Sequence, residues 1–269
     1  MTQIAKYITF DPSAPIAPPK SDDSPFFKAE PGENILRIVP MSADMASKFA
    51  SVGLEPTPFV PVPKHFYARP GGDGYVSTQC PKKLGAGPCP ICEESDILRA
   101  SADEGDRDLG WDMAAKPKRL VNVIVRGQEA AGPKIWELST PMGKPKGMTM
   151  FEKLVAAMSG SAGVDAIDPI NGYDIILTKT VTGKGKMGTS YTIVGARQPS
   201  PLGTPEQINA WMAQQEDLLA YRVAPDVELV RQKMAGEAPS PGAPRSAPPA
   251  ASLPASPNTP YNSDDDFAF

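Results

Sequence analysis

Five stretches of the chain carry apolar residues at the two-residue period of a strand, or run apolar throughout as buried strands do. They are "NILRIV" (34–39), closed by Pro40, "RLVNVIV" (119–125), "KIWELS" (134–139), "YDIILTKTV" (173–181) and "TSYTIV" (189–194). A Gly-containing turn separates the second from the third, and "TGKGKMG" joins the last two as a hairpin. One helical period falls among them. "TMFEKLVAAM" (149–158) puts Phe151, Leu154, Val155 and Met158 on one face, with Thr149 and Glu152 as a capping box. Strand, long loop, strand, strand, helix, strand, strand is the element order of an OB-fold, a small five-stranded Greek-key barrel. The expected fold is therefore mainly β with some α. A five-stranded OB-fold barrel spans residues 26–200, and a segment at about 56–112 is inserted between its first two strands. Another small barrel or sandwich is the competing reading.

Helical signals return after the barrel. Thr204 is the expected N-cap, Pro205 the first helical residue, and Gln207 completes a capping box. Ile208, Trp211, Met212, Leu218 and Leu219 fit one stripe that would pack on the barrel; Pro225 kinks or ends it, and "DVELVRQKM" forms a second helical piece. Residues 201–235 thus read as a C-terminal helical segment. Residues 1–25 contain "DPSAPIAPPKSDDSP" and read as an extended arm. Residues 236–269 are Pro, Ala and Ser with almost no large apolar side chains, a composition that cannot offset chain entropy by burial. They read as a disordered linker ending in the acidic tip "DDDFAF".

Charge refines this outline. The net charge is −4, but it is unevenly spread. Residues 93–112 hold eight acids against two Arg, whereas residues 116–197 hold twelve basic residues against six acidic. The middle of the chain is therefore basic between acidic appendages, and the acidic stretch reads as a flexible loop turned away from any polyanion. No apolar run approaches the ~20 residues of a membrane span, and "MTQIAKYITF" lacks the plan of a secretory signal. A cytoplasmic protein is expected.

The chemistry sits in residues 64–92, "KHFYARPGGDGYVSTQCPKKLGAGPCPIC", which hold the only histidine and all three cysteines of the 269 residues. The spacing His-x14-Cys-x8-Cys-x2-Cys offers His65, Cys80, Cys89 and Cys92 as a Cys3His set, the donor set of a structural Zn2+ site. "CPIC" supplies two thiolates from one turn, and Lys82 and Lys83 beside Cys80 favour the charged form. So polar and Gly-rich a loop is expected to have no core of its own and to fold on binding one structural zinc ion. "PCPIC" also matches half of the zinc-deaminase signature, but His65 is followed by Phe66 and Tyr67 with no Glu, and no second histidine exists as a base. Four protein ligands would leave no open metal position, so an enzyme is not expected.

Cations and aromatic rings surround and follow these ligands. Lys64, Phe66, Tyr67, Arg69 and Tyr75 flank them; Arg37 lies in the first strand; Lys116, Lys118, Arg119, Arg126, Trp136, Lys144, Lys146, Phe151, Lys184, Lys186 and Tyr191 follow. Single-stranded nucleic acid needs such a mixture, with cations tracking phosphates and rings stacking on unpaired bases at ~1–3 kcal/mol each.

Taken together, the ligand set between the first strands of a barrel, the basic middle and the acidic tail resemble the T-even-type phage single-stranded DNA-binding proteins, also called helix-destabilising proteins. The resemblance covers roughly residues 25–200 and the tail, and "ILRIVP" and "LVNVIV" are similar to that family's core strands. It implies an OB-fold with an inserted zinc subdomain, ligands at His65, Cys80, Cys89 and Cys92, and a protein that coats single-stranded DNA in replication, recombination and repair, here in a host cytoplasm. Two features depart from it. Residues 1–24 hold only Lys6 and Lys20 against three Asp, unlike the basic N-terminal segment that drives cooperative contacts in that family. The tip is closer to those of bacterial and other phage single-strand-binding proteins. Its Asp264, Asp265 and Asp266 mimic a phosphate run, and Phe267 and Phe269 can anchor in a pocket, so the tip is expected to recruit replication and recombination proteins. The rival reading is a zinc-ribbon interaction adaptor with no preference for single strands.

Overall fold

The computed structural model describes residues 24–69, 74–140, 147–159, 165–183 and 188–236. The expected N-terminal arm (all but its last two residues) and the C-terminal linker with its tip lie outside the described residues. Strand β1 (Gly32–Ile38) leads through helix α1 (Ala43–Ser51) to a hairpin of β2 (Val60–Ala68) and β3 (Tyr75–Gln79). Helices α2 (Pro90–Arg99) and α3 (Glu104–Met113) follow, then β4 (Lys116–Val125), β5 (Lys134–Ser139), α4 (Met150–Ser159), β6 (Ile175–Val181) and β7 (Thr189–Gly195). Helices α5 (Pro205–Ala213) and α6 (Val227–Ala235) close the described chain.

All strand pairs are antiparallel, in the order β3-β2-β4-β1-β6-β7 with β5 added to β4. The five strands expected from the sequence thus lie as third, second, first, fourth and fifth, the OB-fold order, and α4 packs against both end strands, β5 and β7. Strand β4 organises the sheet. One edge pairs its first half with β2 (Lys116 opposite Lys64) and its second half with β1 (Val123 opposite Ile38), while the other edge carries β5. Pro25 and Phe27 bond the backbone of Ile135 from outside, at 2.8 Å each.

Alternation along β4 sorts its side chains onto two faces. Val121, Val123 and Val125 enter the barrel with Leu36, Ile38, Trp136, Leu138, Leu154, Tyr173, Ile175 and Leu177. Leu120 points the other way and, with Val60, Val62 and Ile135, is covered by Met45 and Phe49 of α1. Those two residues stand one helical turn apart on a helix capped by Ser42, an element absent from the sequence reading.

Both capping boxes form, at Thr149 with Glu152 and at Thr204 with Gln207. Two expected stripes are corrected. Val155 faces solvent, because α4 touches the barrel through a narrower face containing Leu154. The stripe begun at Ile208 stops with α5: Trp211 packs with Val39, Ile124 and Leu202, while Leu218 sits under α1. The break has a cause. Buried Asn122 donates to the Glu216 carbonyl (3.1 Å) and accepts from its N–H (3.3 Å), drawing the backbone out of the helical path; Asp217 then caps a 3-10 turn over Leu218–Arg222.

The inserted segment is also more ordered than expected. The β2–β3 hairpin continues the main sheet, and the acidic stretch forms α2 and α3 instead of a flexible loop. The two helices meet at Gly110, where a Cβ would lie 2.8 Å from the Arg99 backbone nitrogen, and Ser95 Oγ donates to the Gly110 carbonyl at 2.7 Å. The segment has its own apolar cluster: Tyr67, Val76, Ile91 and Met113, closed by Val230 of α6. The expectation of a loop without a core is therefore overturned. The sequence pattern hid that core because four elements and a distant helix each contribute one or two residues.

Candidate metal centre and basic face

The β2–β3 hairpin and the start of α2 bring the four sequence-predicted ligands together. His65 stands on β2, Cys80 follows β3, Cys89 is the N-cap of α2 and Cys92 lies in its first turn, so "CPIC" is a helix start with Pro90 at its first position. All four are buried, and their donor atoms lie within 4.8 Å of one another. Cys80 Sγ is 3.4 Å from Cys92 Sγ, and His65 Nε2 is 3.3 Å from Cys89 Sγ and 3.7 Å from Cys92 Sγ. A disulfide needs ~2.0 Å, so these are separate sulfurs. A tetrahedral ion with bonds of ~2.3 Å to sulfur and ~2.0 Å to nitrogen sets its donors roughly 3.5–3.8 Å apart, close to what is seen.

The surroundings also suit a cation. His65 Nδ1 donates to the Met113 carbonyl at 2.7 Å, which leaves the Nε2 lone pair facing the sulfurs. The N-terminus of α2 favours thiolates at Cys89 and Cys92. The Lys83 backbone N–H approaches Cys80 Sγ at 3.4 Å, while the Lys82 ammonium lies 3.6 Å from Asp96. Crowding sets the donors against each other. Contact with Cys80 pushes the Cys89 thiol below its usual range and the Cys92 thiol above it. Burial opposes charge on His65, but its contacts with Cys80 and Cys89 prevail and raise it to about 9. A divalent ion would replace the shared protons, and the cluster could hold one.

The expected nucleic-acid residues separate into groups. Lys64 and Phe66 on β2, Tyr75 on β3 and Lys116 and Lys118 on β4 share one sheet face, by the pairing of Lys64 with Lys116 and Ala68 with Tyr75. It is the face that α1 covers further along the same strands; where α1 ends, it changes from apolar to cationic. The Phe66 and Tyr75 rings stack in parallel, 5.1 Å apart at 4°, with Tyr75 61% exposed. Lys116 Nζ reaches the Phe66 carbonyl at 3.4 Å. Glu137 of β5 lies among these lysines, 3.0 Å from Lys64 and 3.6 Å from Lys118. As an acid it falls outside the sequence pattern of cations and rings. Arg119 faces the other way, over the Phe151 ring at 4.8 Å, and Lys153 Nζ donates to the Tyr191 carbonyl at 2.7 Å beside a groove of about 510 Å³ between α4 and β7.

Five residues have structural surroundings that the strand pattern did not reveal. Trp136 is in the barrel core, edge-on to Phe27, because its register with Val121 turns it inward. Tyr67 packs with the cysteines of the Cys3His cluster, one residue out of phase with Phe66. Arg37 is fully buried under the 165–172 loop, where it donates to the Asp168 carbonyl at 2.6 Å; burial lowers its pKa against the pull of Asp174. Arg126 grips Asp174 through two nitrogens and donates to the Leu202 and Pro201 carbonyls. Arg69 donates to the Lys233 carbonyl at 3.3 Å, beside the end of α6. Lys144, Lys146, Lys184 and Lys186, and Asp264, Asp265, Asp266, Phe267 and Phe269 of the tip, lie outside the described residues. Among the described residues no helix is long and apolar enough to cross a membrane.

A family model described as "gp32 DNA binding protein like" matches residues 30–233. A comparison with curated proteins found no match.

Proposed function

The chain belongs to the gp32-like DNA-binding proteins, a family of DNA binders rather than enzymes, and on that premise we propose that it coats single-stranded DNA during replication, recombination and repair. One observation carries the single-strand reading. A stacked aromatic pair, half-buried Phe66 and exposed Tyr75, lies on the same sheet face as Lys64, Lys116 and Lys118. Rings open to solvent beside cations suit unstacked bases and their phosphates; a duplex hides its base faces and would engage the lysines alone. We read the ion of the Cys3His cluster as one structural Zn2+. Its role is to hold the β2–β3 hairpin against α2, and so to fix the strand that presents Phe66. On the same reading the protein is phage-encoded and works in a host cytoplasm, and the tip at 264–269 recruits replication proteins.

The test is a binding titration at several salt concentrations, comparing a ~30-nucleotide single strand with its duplex. Strong single-strand preference is expected, with a log–log salt slope of about −0.7 for each phosphate contacted. Equal binding to both, or none to either, would favour the protein-interaction adaptor.

A further inference from the structure

Glu137 is an acid among the lysines of a surface suited to a polyanion, with Asp112 at its edge 3.9 Å from Lys116. Leu120 stands opposite it on β4, so its side chain emerges on the same face as Lys116 and Lys118. One carboxylate oxygen lies 3.0 Å from Lys64 Nζ and the other 3.6 Å from Lys118 Nζ. A single acid on β5 therefore reaches across β4 to bind cations from two strands. The three side chains are 26%, 23% and 29% exposed, so solvent and a ligand can reach them. The pairs are partly buried, and at such sites the cost of desolvating the charges offsets much of their attraction. Fold stability is thus a weak reason for the arrangement. The geometry of a phosphate is a better one: two oxygens of one anion, each facing one ammonium group.

We propose that Glu137 is a phosphate stand-in that holds Lys64 and Lys118 in place in the free protein and gives them up to a DNA phosphate on binding. The exchange moves no covalent bond. It replaces two carboxylate–ammonium contacts with phosphate–ammonium contacts and leaves Glu137 to water. It has two consequences. Holding the lysines lowers the ordering cost of binding, whereas competition from the carboxylate and its repulsion of the incoming phosphate weaken binding. Competition should prevail, because the carboxylate remains beside the phosphate after exchange. Glu137 then limits how tightly the protein holds a strand that it must later release. This inference rests on the proposal that the Lys64–Lys118 face meets DNA.

The experiment is a salt-titrated binding measurement with a fluorescent oligothymidylate on the full-length protein, comparing Glu137→Gln with wild type. Glu137→Gln is expected to bind roughly three- to tenfold more tightly at low salt, with a slope more negative by about 0.7 and a melting temperature close to wild type. Glu104→Gln, in the first turn of α3, removes the same charge without touching the Lys64–Glu137–Lys118 group and should leave affinity unchanged. In a Lys64→Met/Lys118→Met background Glu137→Gln should lose its effect, since a double-mutant cycle isolates the coupling. Unchanged or weaker binding by Glu137→Gln, or equal gains from Glu104→Gln or in the lysine-free background, would overturn the stand-in. Weaker binding by Lys64→Met/Lys118→Met than by wild type keeps that failure distinct; binding as tight as wild type would overturn the DNA-face reading itself.

Discussion

Trp136 and Tyr75 are both strand aromatics near lysines, and burial separates their roles. Trp136 is 4% exposed and packs with Phe27, Leu138 and the barrel valines, whereas Tyr75 is 61% exposed and touches Phe66. Trp136→Ala should cost about 3–5 kcal/mol of stability by leaving a cavity. Tyr75→Ala should change stability by no more than about 0.5 kcal/mol, yet weaken single-strand binding by roughly 1–3 kcal/mol through lost stacking. Denaturant titration and oligonucleotide binding on both variants check the pair. A large stability loss at Tyr75, or binding as tight as wild type, would remove the stacked rings from the DNA face. Arg37 and Arg126 make the same point for charge. Both answer to Asp174 within the protein, and Arg126 ties the barrel to the 201–202 segment ahead of α5.

At the scale of elements, the hairpin, α2 and α3 form a subdomain with two supports that adjoin in one buried cluster. One is the apolar cluster of Tyr67, Val76, Ile91, Met113 and Val230; the other is the four-ligand centre. Cys89→Ser removes a donor from the N-cap of α2 and should abolish metal retention, measured as metal content after dialysis. The apolar cluster remains, so the expected structural result is local: faster proteolysis between residues 60 and 95 with the barrel strands still protected. DNA binding should weaken, because β2 presents Phe66 from the strand that carries His65. Full metal content in this variant would reject the ligand assignment. Global unfolding would mean that the barrel, and not only the subdomain, depends on the metal.

Over the whole molecule the charges divide by location. The acids of residues 93–112 fall on α2, on α3 and at its N-cap, the cations Lys64, Lys116 and Lys118 gather on the open sheet face, and Asp112 at the end of α3 lies 3.9 Å from Lys116 where the two meet. A net charge of −4 is therefore compatible with a DNA-binding surface, since a phosphate chain meets the local field within about a Debye length of ~8–10 Å. The acidic tip at 264–269 completes this division in the sequence. Deleting those residues should abolish co-precipitation of replication enzymes and preserve or tighten single-strand binding. Unchanged co-precipitation would show that the tip is not the recruiting element.

The sequence by itself determined whatever depends on neighbours along the chain. The five barrel strands follow from side-chain alternation, the starts of α4 and α5 from capping boxes, and the ligand set from four soft donors at fixed spacing. Tertiary structure decided whatever depends on partners far apart in sequence. Helix α1 and the subdomain core were illegible because each element contributes only one or two apolar residues to a cluster assembled from several others. The halt of α5 depended on Asn122, which lies 94 positions from the Glu216 backbone it binds. Which cations and rings reach the surface was a matter of register: one step along β2 separates Tyr67, packed against the Cys3His cluster, from Phe66 on the open face. A strand's period of two assigns its residues to two faces but does not say which face is covered; here α1, α2 and α6 settled that, and only packing put them there.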